Sequence, residues 1–442
     1  MHVEPLPTAA ADAADAAAGV GRDDRRVTPF VTHVATAAIA LATLAAQWNI
    51  DGNRRIDYRI YSRAVAAIGS VGLYGYGSGI LRFTYPPAAA SIVWPFSLLD
   101  ESIGSRLWLA LTVVAFLGAY GVAATHLRGT RTITPAHALL GAAVALWFAP
   151  AVSTMRLGQI NGFVAALLCI DIVAFARSRR WAGVGIGLAA AVKVTPLAVI
   201  PVVWAGTRRG DSRLAARNAI GAFVAITAIG ALVAPASTWQ FVRRLGGRAA
   251  VPAGVPSVDL RAGLRSIIAA QRAADVAWIV ASLALTAAAL RTARRLAHAP
   301  GPTDGVGLVT VGMCLSTAIS PFSSVHHLTF ATVAVALWAA RSAGVADRVV
   351  AGFGALVLLD PTGGDLTAMR WAMLALCIVT VVALPAPTDF VAAGAIREDR
   401  ERPQGGRRDV RSDPAPPWPE RVERTQPVHR MVRLRPHRSG HR

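Results

Sequence analysis

Four stretches of this chain, residues 30–46, 135–152, 218–233 and 373–384, contain no Asp, Glu, Lys or Arg. Runs of that length and apolarity suit a bilayer, where each crossing needs roughly 20 predominantly apolar residues. Composition agrees: 54% of residues are hydrophobic, only 16% are charged, and the mean hydropathy is +0.46, whereas a soluble domain is about a quarter charged. The fold class expected is all-α, a polytopic membrane helical bundle. The pattern predicts spans near 29–48, 105–125, 134–152, 160–176, 217–235, 273–291, 305–320, 325–341, 346–359 and 369–388. The segment 346–359 is short enough to require local bilayer thinning or re-entry.

A net charge of +20 would suggest nucleic acid in a soluble protein. Here the arginines gather at the ends of apolar segments and in the tails, so topology accounts for them better and no nucleic-acid partner is expected. Residues 1–28 lack the order of a signal peptide and read as a cytoplasmic tail ahead of a membrane domain at 29–390. From 391 to 442 the chain is rich in Arg, Pro and Gly, with no Lys; it reads as a disordered basic tail that touches anionic lipid. The three cysteines, Cys169, Cys314 and Cys377, each lie in an apolar run and suggest neither disulfides nor a metal site.

Between Trp181 and Gly206 an apolar stretch is flanked by basic clusters on both sides. Two flanks on one side of the membrane require an even number of crossings, so two short helices broken around Lys193, Thr195 and Pro196 are expected. Broken helices persist in membranes where they line a cavity. With both termini in the cytoplasm, the basic staples RGTRT, RSRR, TRRGDSR and RTARR fall inside. The varied polar loops, 49–104, MRLGQING, 236–272, SPFSSVHH and DPTGGD, then fall outside, so chemistry is expected on the extracytoplasmic face of the cell membrane.

Within the first outer loop, Tyr58, Tyr61, Val65 and Ile68 recur at helical spacing, predicting an amphipathic helix on the membrane surface. Asp57 and Tyr61 share one face of it. Asp57 is either a charge suited to a helix N-terminus or a carboxylate held where a general base would work. Lys193, the only lysine in the chain, either snorkels to an interface or is a functional cation inside the membrane. Gln159 and Asn161 sit at a turn and could cap the next helix. His326 and His327 are adjacent, so on a helix they diverge by about 100° and suit hydrogen bonding better than joint metal ligation. Asp171 lies six residues before Arg177, a local charge partner. No nucleotide-binding or hydrolase motif is present.

The ordered motifs DYRIY, GLYGY, FTYPP, GQING, GVGIGLAAAVKVTPL and SPFSSVHH resemble those of glycosyltransferase family 87, the actinobacterial polyprenyl-phosphate-mannose-dependent alpha-1,2-mannosyltransferases of the glycosyltransferase-C superfamily. The resemblance covers about 50–330. It implies a catalytic base at Asp57 and a functional lysine at Lys193. Donor phosphate and lipid would be met by Lys193, by Arg261, Arg265 or another arginine of the 243–265 loop, and by His326 and His327; Tyr61, Tyr85, Gln159 and Asn161 would contact substrate. In place of the Asn-Gln-Ser motif common in the family's later outer loop, this chain has Ser257, Val258 and Asp259.

The implied activity is inverting transfer of mannose from polyprenyl-phosphate mannose to a hydroxyl of an envelope glycolipid or lipoglycan, forming an alpha-1,2 linkage. The leaving phosphate is already an anion, so cations and donors matter more there than a general acid. No cofactor and no metal are expected. Alternatives are an arabinofuranosyltransferase using a polyprenyl-phosphate arabinose donor, and a lipid or sugar transporter. A transporter built of repeats would show paired halves, and no internal repeat is evident in the sequence.

Overall fold

A computed structural model describes residues 9–48, 55–68, 72–75, 82–127, 133–207, 211–247, 257–360 and 367–387. Among them there are helices and no strands, as lipid demands of a chain whose backbone groups must pair within their own segment. The predicted tail at 391–442 lies outside the described residues, as do RGTRT and most of DPTGGD.

In chain order the helices are α1 (Ala9–Trp48), α2 (Ile56–Ala66), α3 (Ala89–Ser97), α4 (Glu101–Thr125), α5 (Pro135–Ala145), α6 (Ala149–Leu157), α7 (Asn161–Ala176), α8 (Val184–Val192) and α9 (Val199–Gly206). They continue through α10 (Asp211–Val233), α11 (Pro235–Gly247), α12 (Leu260–Ile267), α13 (Gln271–Ala297), α14 (Gly305–Ile319), α15 (Thr329–Arg341), α16 (Val345–Leu358) and α17 (Thr367–Ala383). Single 3₁₀ turns at Thr195–Ala198 and Val325–Leu328 precede α9 and α15.

Among the described residues, four helical segments are long and apolar enough to cross a membrane: Pro29–Trp48, Glu101–Thr125, Arg213–Val233 and Gln271–Ala297. Shorter apolar helices, α7, α14 and α17 among them, pack between these. On α13 the exposed residues Val276, Ile279, Val280 and Leu283 follow the three- and four-residue spacing of one helical stripe. An apolar stripe turned outward is what lipid contact requires, and the chain is a multi-pass membrane protein.

The fold bends one of the expected spans. The span at 134–152 is a bent pair: α5 and α6 meet at 64°, because Pro150 supplies no amide to the turn before it and forces the helix to restart. Its N-terminus is set by Thr134, whose hydroxyl accepts from His137 N at 3.3 Å, with Pro135 in the first position. Helix α1 begins at Ala9, and its membrane-length apolar segment is Pro29–Trp48.

The predicted break around Lys193 is present. Helix α8 ends at Val192, Lys193 takes an extended backbone conformation, and the chain resumes at Thr195–Ala198. What holds α8 is Asp171 on α7. Its carboxylate is fully buried and accepts from Gly183 N at 2.7 Å and Ile186 N at 2.6 Å, so it caps a neighbouring helix across the bundle rather than pairing with Arg177. Gly183 (φ +102°) is obligatory, since a Cβ there would collide with the Ala215 carbonyl.

At the end of α15, Arg341 Nη2 donates to Asp304 Oδ1 at 2.8 Å and Nη1 to the Pro385 carbonyl at 3.1 Å, with both charged side chains buried. Asp304 also caps α14 through Gly307 N at 3.1 Å. One carboxylate and one guanidinium thus tie α14, α15 and the chain beyond α17 together.

Candidate active site

Helix α2 forms as its periodicity predicts, with one difference in what it covers. Tyr58, Ile60, Tyr61, Ala64 and Val65 are buried against the protein, so its apolar face meets the bundle instead of lipid. Salt bridges from Arg59 (2.9 Å) and Arg63 (2.8 Å) to Glu101 fasten it to α4. Arg55, just ahead of it, is buried and donates to Ser105 Oγ at 2.9 Å and the Gln47 carbonyl at 2.6 Å. These anchors fix Asp57 in the first turn.

The GQING turn then comes up under α2. Helix α6 ends in left-handed Gly158 (φ +70°), where an added Cβ would lie 2.6 Å from Tyr58 Cβ; only glycine allows so close an approach. Trp108 Nε1 donates to the Gly158 carbonyl at 3.0 Å. The turn delivers Gln159, whose Nε2 donates to Asp57 Oδ2 at 2.5 Å. Its Oε1 accepts from the hydroxyls of Tyr61 (3.0 Å) and Tyr85 (2.5 Å). Two phenols at one end and a carboxylate at the other fix which way the amide points.

Tyr85, of the FTYPP motif, is held by Tyr74, whose hydroxyl donates to the Tyr85 carbonyl at 2.6 Å. Phe83 packs edge-on to both Tyr61 and Tyr85. Over the Tyr85 ring, 5.3 Å from its centroid, lies Lys193 Nζ, a cation–π arrangement. Lys193 is 5% exposed and donates to Asn161 Oδ1 at 2.6 Å, so it does not snorkel. Asn161 Nδ2 in turn donates to the His326 carbonyl at 2.6 Å. Neither Gln159 nor Asn161 caps α7, whose first turn has no side-chain cap.

The SPFSSVHH motif supplies the far wall. Ser324 N donates to His327 Nδ1 at 2.9 Å, which leaves the proton of a neutral His327 on Nε2 as a donor. His326 is buried, and its Nδ1 has no hydrogen-bond partner among the described residues. A buried polar atom without a partner is uncommon and points to a ligand-facing position. Val258 N donates to the Ser323 carbonyl at 2.7 Å, and Ser323 N to Asp259 Oδ2 at 3.1 Å; Ser257 also hydrogen-bonds to Asp259. The divergent Ser257–Val258–Asp259 triplet therefore stitches the later loop to the histidine turn.

Arg261 and Arg265 are directed elsewhere. Both bind Asp275 on α13, Arg261 Nε at 2.9 Å and Arg265 Nη2 at 3.0 Å, and Arg261 lies over the Trp278 ring. One carboxylate shared by two guanidinium groups leaves a net positive charge. Sequence reasoning placed Tyr74 in the GLYGY motif without a role and missed Asp275 and the Ser257–Ser323 stitch, because the partners are 11 to 170 residues away.

Burial pushes the Asp57 carboxyl up to about 6, against the Gln159 hydrogen bond and the charge of Lys193, which both pull it down. Such a carboxylate is ionised at neutral pH yet basic enough to take a proton. Hydroxyl donors, one cation and neutral imidazoles around it can hold an anion and orient a sugar.

The model of glycosyltransferase family 87 matches residues 83–321, more than half of the chain, and the chain belongs to that family. Tyr85, Gln159, Asn161 and Lys193 lie within the match; Asp57 and the two histidines flank it. The chain is 28% identical over 373 residues to the polyprenol-phosphate-mannose-dependent alpha-(1-2)-phosphatidylinositol mannoside mannosyltransferase of Mycobacterium tuberculosis, covering 77% of this chain and 85% of the relative. It is 29% identical over 323 residues to the corresponding phosphatidylinositol pentamannoside mannosyltransferase of M. tuberculosis, covering 69% and 72%. A mannoside mannosyltransferase of Mycolicibacterium smegmatis matches at 29% over 357 residues, 73% and 80%. The protein is a membrane glycosyltransferase. Relatives named as mannosyltransferases do not favour the arabinofuranosyltransferase or transporter alternatives.

Proposed function

We propose that the protein transfers mannose from polyprenyl-phosphate mannose to a phosphatidylinositol mannoside, forming an alpha-1,2 linkage at the extracytoplasmic face. The observation that carries this reading is the partly buried Asp57 carboxylate, held by Gln159 and close enough to feel the charge of Lys193. Asp57 takes the proton of the acceptor hydroxyl as that oxygen bonds to the anomeric carbon. The bond from that carbon to phosphate oxygen breaks on the opposite face, and the lipid phosphate leaves with the electron pair. One displacement inverts a beta-linked donor to an alpha product, so a single base suffices where glycosidases use two carboxylates.

Lys193 and His327 Nε2 face the departing phosphate. The lysine replaces the solvation that the anion loses on burial. Tyr61, Tyr85 and Asn161 orient the mannose. Between α4, α5, α15 and α16 lies an apolar cavity of about 1050 Å³, lined by Tyr120, Ala142, Phe148, Thr332 and Val335 among others. Tyr120 donates to the Thr329 carbonyl at 3.3 Å, next to the histidine turn, so a prenyl chain in this cavity ends near the phosphate position.

The test is transfer from labelled polyprenyl-phosphate mannose to phosphatidylinositol mannosides by the purified protein. Asp57→Asn keeps the size of the side chain and removes the base, so turnover falls by about 10²- to 10⁴-fold with donor binding retained. A variant retaining more than about a tenth of wild-type turnover removes Asp57 from the role of base.

A further inference from the structure

Helix α11 is not used by the reading above. It follows directly on α10, whose last residues Leu232 and Val233 are exposed as lipid-facing residues are. Its sequence, PASTWQFVRRLGG, contains two arginines and no acidic residue. Ser237, Phe241 and Arg244, spaced by four and three residues, face the protein. Phe241 stacks on Tyr74 at 6.2 Å, and Arg244 donates to the Tyr74 carbonyl at 2.9 Å with its guanidinium 5.2 Å over the Tyr74 ring.

The other face is uncovered among the described residues. Trp239 (62% exposed), Val242 and Leu245 stand outward, with exposed Arg243 one turn from Trp239. An apolar row beside an unopposed cation, at the end of a spanning helix, is the pattern of a helix lying in the membrane interface and selecting anionic headgroups. This is the surface-lying helix that the sequence suggested for α2. From Tyr74 the ring contacts continue through Phe83 at 5.8 Å to Tyr61 at 5.9 Å, the residue bound to Gln159 beside Asp57. The shelf and the base are therefore parts of one packed unit, three rings apart.

We propose that α11 is the docking shelf for the acceptor's anionic lipid end: Arg243 binds its phosphodiester, and Trp239, Val242 and Leu245 rest against its acyl chains while the glycan reaches Asp57. This rests on the phosphatidylinositol mannoside reading of the active site. A glycolipid acceptor suits the geometry because its phosphate lies several sugars from the hydroxyl that reacts.

The experiment has two arms. In nanodiscs, phosphatidylinositol or phosphatidylglycerol brominated on its acyl chains quenches Trp239 fluorescence, isolated by subtracting the Trp239→Phe variant, more than brominated phosphatidylcholine does. Arg243→Gln abolishes that preference and Arg243→Lys retains it. This arm needs no transfer, so it stands or falls separately from the proposed activity. In the kinetic arm, Arg243→Gln raises KM for a phosphatidylinositol-linked mannoside about fivefold relative to a phosphate-free mannoside, the worth of one interfacial cation against an anionic headgroup. Equal quenching by all three lipids, or an unchanged KM ratio, overturns the proposal.

Discussion

Replacing Gln159 by Leu separates the role of Asp57 as a base from its role as a packed side chain. The substitution keeps the approximate volume and deletes the amide that donates to Asp57 Oδ2. Burial alone raises this carboxyl, and the Gln159 hydrogen bond is the larger of the two influences holding it down to about 6. A hydrogen bond to a charged group is worth about 1.5–3 kcal/mol, which corresponds to about 1–2 pH units at 1.36 kcal/mol each. The lost bond favours the neutral acid, so the Asp57 pKa rises. Because the base must be ionised to accept a proton, the acid limb of kcat/KM moves upward, from near pH 6 in the wild type to about 7–8 in Gln159→Leu. Initial rates across pH 5–9 in detergent or nanodiscs measure it, with a thermal melt to verify folding. An acid limb at the same pH in both proteins refutes Asp57 as the base, or Gln159 as what tunes it.

Lys193→Met keeps most of the stem and removes the charge, so donor affinity falls by about 1.5–3 kcal/mol, roughly 10- to 150-fold, measured by titration with the lipid phosphate. Arg341→Met leaves buried Asp304 without its cation and destabilises by about 3–5 kcal/mol, while the double change Arg341→Met with Asp304→Asn recovers part of the loss in a melting experiment. Transfer persists in excess EDTA and is absent with GDP-mannose as sole donor; activity lost on chelation and restored by manganese would reject the metal-free mechanism. Cysteines placed at the α2 end of the bundle in a cysteine-free background react with an impermeant reagent in intact cells, whereas a cysteine in the C-terminal tail does not.

The parts of the molecule legible in the sequence are those whose cause is local. Charge-free runs locate the apolar helices, Pro196 announces the break at Lys193, and the spacing of Tyr58, Tyr61 and Val65 announces α2. Whether a helix faces lipid or protein depends on what packs against it, so α2, expected on the membrane surface, is buried against the bundle, while α11 lies in a stretch expected only as an outer loop. Asp171 looked like a partner for Arg177 because sequence proximity was the only distance available, while its true partners are the amides of Gly183 and Ile186 on the next helix. Asp57, Tyr61, Tyr85, Gln159, Asn161, Lys193 and both histidines do come together. Arg261 and Arg265 are instead shared by Asp275, which no motif singles out.

A chain of 442 residues with Lys193 as its only lysine has, apart from its N-terminus, a single primary amine, and that amine sits on Asn161 and the Tyr85 ring. Amine-selective chemistry therefore addresses one atom of the candidate site and nothing else on the side chains. Reductive methylation with isotopic formaldehyde would install two equivalent labelled methyl groups there, giving a spectrum with one side-chain signal whose shift follows donor occupancy directly. Protection of that amine against acylation, followed over time, would yield donor on- and off-rates without a radiolabel, an engineered tag or a turnover event.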